Sequence, residues 1–588
     1  MKEINYPKIW GQGSIFASSG LETKTTATHS LVGSLLADRI GFEFKTPIRS
    51  FFYFKLKNRE EIDNIEFDVV TSDLIKGRLT DKKGEEYELI FSFWSENTLN
   101  IKVCEYLRAS FDFDEDMTGQ RVDDALTFTR GNEKYAFLEN RDGNVIRMAF
   151  SYGEAAIGNV KKAIVSDIES DAKAKLAFYR KLPRPQFKDP DEEMLYYKCF
   201  SVMKSMIYSP EGRYKTYWST PDRYPHKDCW LWDTAFHAVG LKYISPELAK
   251  DAIRAVLTIQ HDDGYIPHQF SVDADSSVTQ PPVLSWAVYE LYKATGDTDL
   301  AEELFDKLAG YLTWDMNNRD VNKNGLLEYE VNEDSVTNRC DESGMDNSPR
   351  FDGESKMDCI DFSCFFANDV MCLSKLAAAI GRNDDAKYWN GIYEKTKKEI
   401  NELLWNGKDG FYYDRRMDGT LCEVKSVSAF LALFAGVCNE KQAQALAEHL
   451  DDPNEFGTTF PIPTVSADDK TYPTMDMFRG TVWLNFNYMI ADGLEKYGFY
   501  EKASYIREIT VEQVKKWYLT DGVIYEFYDS RDKVSPRRLA RKGNPLQPYI
   551  PDIRIQCVHD FSWGSCFVPD IIIKRNKSDG VRCNNACE

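Results

Sequence analysis

The hydrophobic pattern of this chain changes period once, near residue 165, and that switch limits what it can fold into. Ahead of it, between about Ser50 and Ala155, apolar and aromatic residues alternate with polar ones in short runs. Residues 51–56, 65–70 and 87–93 read as strands, separated by turn signals such as Lys83-Gly84 and Asp142-Gly143-Asn144. The simplest arrangement for them is an antiparallel β-sandwich. Behind the switch the apolar period becomes helical. Ser166-Asp167-Ile168-Glu169 has the spacing of a capping box, and the helix it predicts runs to about Arg180, where Lys181-Leu182-Pro183-Arg184-Pro185 breaks it. About twelve further helical stripes follow. Ser245-Pro246 opens one as N-cap and first turn, and Gly296, Gly381 and Gly498 fall where helices end and restart within a few residues. Some twelve helices in antiparallel hairpins close into an (α/α)6 toroid around one funnel. The expected organisation is β plus α: a β-sandwich over residues 1–165, a helical linker over 166–190 and an (α/α)6 barrel over 191–588.

Composition narrows the function. With 588 residues, 43% hydrophobic and 28% charged, the chain is globular and too long for one small core. Its net charge of −21 argues against a nucleic-acid or anionic-membrane partner. Residues 1–7 carry no apolar stretch of a signal peptide, and no run of about 18 apolar residues suggests a membrane span. The 13 Cys lack CxxC spacing, and Cys199, Cys364, Cys372 and Cys438 sit in apolar helical stretches, so a reducing cytoplasm is the expected home. Aromatic residues reach 13%, which suits both a large core and a cleft that stacks on sugar faces.

Three long loops interrupt the helical pattern, at 315–361, 451–479 and 520–560, and long loops in compact domains are usually functional. The first carries Asp341-Glu342-Ser343-Gly344-Met345-Asp346-Asn347-Ser348-Pro349-Arg350-Phe351-Asp352, where carboxylates, an Arg and an Asn share a Gly- and Pro-shaped backbone. Arg350 could there orient a neighbouring carboxylate. Elsewhere Trp230-Leu231-Trp232-Asp233-Thr234-Ala235-Phe236 opens a helix that Asp233 could cap, and Gln280-Pro281-Pro282 starts another. Arg479-Gly480-Thr481-Val482-Trp483 runs into a third, and Phe561-Ser562-Trp563-Gly564 opens the last. Tyr525-Glu526-Phe527-Tyr528 sets a carboxylate among rings, whose apolar wall would tend to raise its pKa. Taken singly, most of these are equally well explained as aromatic packing around a solvated polar residue.

In this order the motifs resemble glycoside hydrolase family 63, and trehalases and other six-hairpin glycosidases share parts of the pattern. The resemblance covers about residues 230–573, with the heptad 344–350 its specific element. It implies inverting hydrolysis of an α-glycosidic bond, with Asp346 as general acid and Glu526 as general base. The residues after Glu526 depart from the family's usual Asn-Tyr and Gly-bearing turn, so Asp529 is the alternative base. An inverting glycosidase needs two carboxyls about 6.5–9.5 Å apart, with room for a water. A general acid must hold a proton, so Asp346 is expected to have a raised pKa. Trp232, Asp233, Phe236, Gln280, Arg350, Arg479, Trp483 and Trp563 are the expected substrate-binding residues.

The expected activity is thus exo-acting hydrolysis of a small α-glucoside or α-mannoside, with a small oligosaccharide or glycoside as the binding partner. A phosphorylase on a similar barrel would need basic residues facing the base, for which Arg350 and His559 are the candidates. A non-catalytic carbohydrate-binding protein is the alternative outside enzymes, and the carboxylates at both Asp346 and Glu526 speak against it. No organic cofactor is expected. Asp320, Asn322, Asn324 and Glu328 place oxygen ligands at positions 1, 3, 5 and 9 of a calcium loop with Gly325 at position 6. Position 12 is Val331, so a missing ligand would have to come from another segment, and an ion-free Asx-rich turn is the alternative. The oligomeric state has no signal in the sequence.

Overall fold

The computed structural model describes residues 3–335, 338–542 and 556–585, with side chains in the last helix described to Arg575. Parts of two long loops, 336–337 and 543–555, lie outside the described residues.

The alternating region folds into thirteen strands: β1 (Ile15–Ala17), β2 (Val32–Leu35), β3 (Gly41–Phe44), β4 (Ser50–Leu56), β5 (Ile62–Val70), β6 (Leu74–Asp81), β7 (Glu86–Ser95), β8 (Thr98–Cys104), β9 (Leu107–Phe113), β10 (Thr118–Val122), β11 (Ala125–Arg130), β12 (Glu133–Asp142) and β13 (Val145–Tyr152). One sheet has the order β1-β2-β3-β4-β9 and the other β10-β11-β12-β13-β8-β7-β6-β5. The three stretches read as strands from the sequence are β4, β5 and β7. In β7 the period of two is visible as burial. Leu89, Phe91 and Phe93 enter the core between the sheets, while Ile90 points the other way and meets Ile168 and Ala172. Phe42 meets Phe91 edge to face and Phe52 stacks on Phe150 to complete the aromatic centre of that core.

Two helices, α1 (Ala156–Ala163) and α2 (Ile168–Tyr179), cover the outer face of the larger sheet. The cap of α2 lies one residue later than the capping-box spacing predicts. Asp167 accepts from the Ser170 amide at 3.0 Å, whereas the Ser166 hydroxyl turns back onto the Ala163 carbonyl. A carboxylate is the better partner for a helix N-terminus, and it displaces the hydroxyl.

Twelve more helices follow among the described residues: α3 (Pro190–Ser205), α4 (Leu231–Leu241), α5 (Pro246–Thr258), α6 (Leu284–Thr295), α7 (Asp299–Asn318), α8 (Ile360–Ala379), α9 (Asn383–Leu403), α10 (Leu431–Ala435), α11 (Glu440–His449), α12 (Leu484–Lys496), α13 (Tyr500–Asp521) and α14 (Ser562–Asn585). Helices α4, α6, α8, α10, α12 and α14 pack successively into a ring, and α14 returns to α4 to close it. Helices α3, α5, α7, α9 and α13 pack outside their inner neighbours, and α11 lies on the short strand Phe411–Tyr412. This is an (α/α)6 toroid attached to a β-sandwich. Among the described residues, the short strands between its helices pair only in antiparallel ribbons.

The inner helices are apolar on nearly every side because other helices surround them. Every residue of α4 is buried. Helix α8 is long and apolar enough to cross a membrane, with a mean hydropathy of 1.2, although the sequence showed no continuous apolar run. It is an inner-ring helix, and most of its residues are buried in the protein. The sandwich is tied to α3 by a buried ionic cluster. The Lys204 ammonium sits 2.7 Å from Asp73, and Lys175 sits 2.8 Å from Glu22.

Candidate active site

The N-termini of α4, α6, α8, α12 and α14 converge on one end of the ring, where a cavity of about 380 Å³ opens. Helix N-termini direct unpaired N–H groups and positive dipole ends at what lies above them, which favours oxygen-rich ligands. Trp232, Trp483 and Trp563 contribute rings to the wall, and Asp233, Asp341, Asp346 and Glu526 contribute carboxyls.

Each group is set by local chain geometry. Residues 341–343 form a single 3-10 turn that ends at Gly344 in a left-handed conformation, φ +65°. A side chain there would collide with the Trp232 ring, its Cβ only 2.1 Å from Cζ2, so only glycine lets that indole lie under the turn. The amides of Arg339 and Cys340 donate to the Asp346 carbonyl at 2.9 and 3.2 Å, which folds Asp341 and Asp346 towards the same cavity. Asn347 ties this turn to the next loop, accepting from the Phe478 amide at 3.0 Å and donating to the Asp476 carbonyl at 3.2 Å. Gln280 caps α4 through its side-chain oxygen, 3.1 Å from the Trp232 amide, while also lining the cavity. Asp233 therefore does not cap that helix. It accepts from the Trp563 indole at 2.6 Å instead.

The two carboxyls expected to carry catalysis are held by consecutive cations. The Arg541 guanidinium lies 3.1 Å from Glu526, and the Lys542 ammonium lies 2.6 Å from Asp346. Glu526 Oε2 also accepts from the Val558 amide at 3.2 Å. Arg541 is steadied behind by His226, whose Nε2 lies 3.2 Å away and whose Nδ1 bonds Asp222. Since a guanidinium only donates, His226 accepts at Nε2 and donates from Nδ1 to Asp222.

The electrostatics differ from the sequence expectation at Asp346. Burial would raise its pKa, but the Lys542 ammonium, with Arg541 behind, outweighs burial and holds it below the ordinary carboxylate range. It is Asp341, half-buried beside the Asp346 charge, that desolvation and that charge push up to about 6. Burial raises Asp233 to about 8, so at neutral pH it carries a proton and can donate a hydrogen bond as well as accept one. His268, also in the wall, is lowered to about 4 by burial and is neutral.

Of the expected substrate-binding residues, Trp232, Asp233, Gln280, Trp483 and Trp563 line the cavity together. The other three do not. Phe236 is fully buried behind Trp232 and Trp563, with ring centroids 5.4 Å from both. Arg479 turns outward to a bidentate pair with Asp352. Arg350 is 1% exposed and clamps Asp361 and Asp414 together beneath the turn, with Asp414 3.0 Å away. A guanidinium offers five donors, and a pair of buried carboxylates uses them more fully than a solvated pocket would. Asp529, the alternative base, closes the following turn by accepting from the amides of Arg531, Lys533 and Val534.

Sequence reasoning missed Asp341, His226, His268, Arg541 and Lys542 as wall residues. Asp341 lay inside the singled-out segment. Arg541 and Lys542 end a basic run, Arg537-Arg538-Leu539-Ala540-Arg541-Lys542, in the third long loop, a signal that was available.

The calcium-loop residues also gather, away from the cavity. Glu328 accepts from the Val321 and Asn322 amides at 2.8 and 3.4 Å, and Asp320 accepts from Gly325 at 3.2 Å. Asn322 and Asn324 both donate to Asp358 at 2.8 Å. Asp320 Oδ1 is buried with no hydrogen-bond partner.

The fold and the cavity at its helix N-termini define a six-hairpin glycosidase of the GH63 kind. More particularly, the chain belongs to the mannosylglycerate hydrolase MGH1-like glycoside hydrolase family, whose model matches residues 224–534. An uncharacterized protein of Borreliella burgdorferi is 28% identical over 244 residues, which span 41% of this chain and 48% of that protein. Mannosylglycerate hydrolase of Thermus thermophilus is 27% identical over 355 residues, 47% of this chain and 83% of that one. A crystal structure of a bacterial glucoamylase complexed with acarbose has a similar fold, with a TM-score of 0.61 at 11% identity over 98% of this chain and 99% of that one.

Replacing Arg350 with Met should leave two buried carboxylates facing each other without a cation. The expected loss is about 3–5 kcal/mol of unfolding free energy, read by urea denaturation. A loss below about 1 kcal/mol would show that the clamp does not hold the turn.

Proposed function

We propose that this protein hydrolyses a small α-glycoside with inversion, Asp346 serving as general acid and Glu526 as general base. The observation that carries this reading is the placement of the two carboxyls in one cavity, each against one of two adjacent cations. The sugar would sit on the tryptophan floor, with protonated Asp233 donating to a hydroxyl. Glu526 would take a proton from a water on one face while Asp346 gives one to the departing oxygen on the other. Hydrolysis is favoured over phosphorolysis because Arg541 already pairs with Glu526, while Arg350 faces two aspartates and His559 faces the Gln12 carbonyl. Both carboxyls being present favours an enzyme over a carbohydrate-binding protein.

The cation against the acid points to the aglycone. The T. thermophilus relative is named for a mannoside whose aglycone is a carboxylate. An anionic aglycone of that kind would draw Lys542 off Asp346. Burial would then be left to raise the acid's pKa, so that it takes up the proton it must deliver. The substrate class is therefore an α-mannoside or α-glucoside with a small acidic aglycone.

Four outcomes test this. Asp346→Asn should lower kcat on a natural glycoside by about 10²–10⁴-fold and spare a glycosyl fluoride, which needs no protonation. Glu526→Gln should lose comparably on both, and NMR should detect the β-anomer first from an α-substrate. An α-anomer formed first would overturn the reading. Lys542→Met should raise KM about tenfold or more for mannosylglycerate, the worth of one charge-assisted contact, with little change for the corresponding glyceramide. Equal effects on the two substrates would remove the acidic aglycone from the proposal.

We also propose a structural calcium ion held by Asp320, Asn322, Asn324 and Glu328, with Asp358 as the further ligand. The unpartnered Asp320 oxygen, the Glu328 carboxylate and Asp358, which Asn322 and Asn324 already reach, supply hard oxygens around this loop. Calcium added to chelated protein should raise the melting temperature by about 1–2 °C, what about 1–2 kcal/mol yields in a protein this size. No bound ion on metal analysis and no shift would leave an ion-free turn.

A further inference from the structure

The segment Trp10-Gly11-Gln12-Gly13-Ser14-Ile15 leads into β1 of the sandwich, yet its contacts run to the far side of the chain, at the loops around Glu526. Gly11 presses backbone to backbone against the end of α13; a Cβ there would lie 2.4 Å from the Asp521 carbonyl oxygen. The Gln12 carbonyl accepts from His559 Nδ1 at 3.1 Å and from Arg537 at 3.3 Å, and its side-chain oxygen accepts from Arg537 at 2.6 Å. Gly13, at φ +78°, makes room for the His559 ring, whose Nδ1 would lie 2.1 Å from an added Cβ. The Ser14 hydroxyl and the Ile15 amide then donate to one oxygen of Asp560 at 2.9 and 2.8 Å.

Asp560 is the hinge of this arrangement. It is fully buried, and Lys198 pairs with it at 2.8 Å while also donating to Ser14 at 2.7 Å. Its second oxygen accepts from the amide of Ile524 at 3.1 Å, two residues before Glu526. Glu526 pairs with the same stretch, its amide donating to the Val558 carbonyl at 3.1 Å and its carboxylate accepting from the Val558 amide. A single carboxylate thus joins the start of the sandwich, helix α3 and the backbone that carries Glu526. Buried ion pairs of this sort add little net stability but fix geometry, because each displaced group would leave a charge unpaired.

We propose that residues 11–15 are a brace that positions Glu526, making the sandwich part of the catalytic apparatus through the Ser14–Asp560–Lys198 cluster. This rests on Glu526 being the base. Displacing a reacting group by about 1 Å costs on the order of 10²-fold in rate. Ser14→Ala deletes one bond of the cluster, and Gly13→Ala forces the segment off His559.

The test measures kcat and KM on a natural glycoside and on a glycosyl fluoride, with melting temperature alongside. Ser14→Ala should lower kcat about tenfold and Gly13→Ala about 100-fold, equally on both substrates, since the base serves both. KM should change far less than kcat, because of the floor tryptophans only Trp563 follows Asp560, while Trp232 and Trp483 stand on other segments. Unchanged kcat in Ser14→Ala, or a loss confined to KM or to the natural glycoside, would overturn the brace. If Gly13→Ala fails to fold, Ser14→Ala decides alone. Glu526→Gln separates the two ideas. Should it leave fluoride hydrolysis intact, the base assignment fails; should it abolish hydrolysis while the brace variants keep their kcat, only the brace fails.

Discussion

The whole arrangement depends on closing one ring of helices that are apolar on nearly all sides. An amphipathic helix can rest against a surface, but α4 and α10 offer water no polar face. Each must be enclosed by neighbours, and a ring of six inside an outer layer is the arrangement that encloses them all. Because the chain runs back between one inner helix and the next, the inner N-termini share one end. The tryptophans and carboxyls are gathered there by topology, from segments with no contact in sequence. The indole of Trp563 and the carboxyl of Asp233, 330 positions apart, meet at 2.6 Å for that reason.

Within the cavity, charge pairing decides what each carboxyl does. Asp233, Asp341 and Asp346 share one wall, yet burial leaves the first protonated at neutral pH while Lys542 keeps the last ionised. Chemically identical groups are separated by which of them a cation can reach. The same rule explains why Arg350 lies under the turn, where two aspartates already surround it.

The sequence disclosed the architecture because periodicity is a local property. The switch from two to 3.6 near residue 165 reports sandwich and barrel directly, and the strands β4, β5 and β7 follow from alternation alone. The heptad 344–350 was legible as a constrained turn because its Gly and Pro limit the backbone. What those constraints served was not legible. Arg350 and Asp346 are equally polar in sequence, and only the three-dimensional positions of Asp361, Asp414 and Lys542 send one below the turn and the other into the cavity. Arg479 and Phe236 failed likewise, one drawn outward by Asp352 and the other covered by indoles. Arg541 and Lys542 went unread because a basic run in a loop has no periodicity to mark which members turn inward. Residues 10–15 matched no motif because their partners lie at the opposite end of the chain.

Ring closure has a bearing on how the protein is made. Helix α4 and helix α14 are neighbours in the ring but remote in the chain, so the seam between them stays open until α14 has been synthesised. During that interval a strip of leucine, phenylalanine and tryptophan faces solvent on the flanks of α4 and α12, next to a sandwich that is already complete. Contacts of such sequence separation form slowly, and exposed apolar flanks are what chaperones recognise and aggregates share. The feature that assembles the cavity is therefore also the feature that makes the nascent chain vulnerable, and shortening the barrel from its α14 side would leave the ring open rather than smaller.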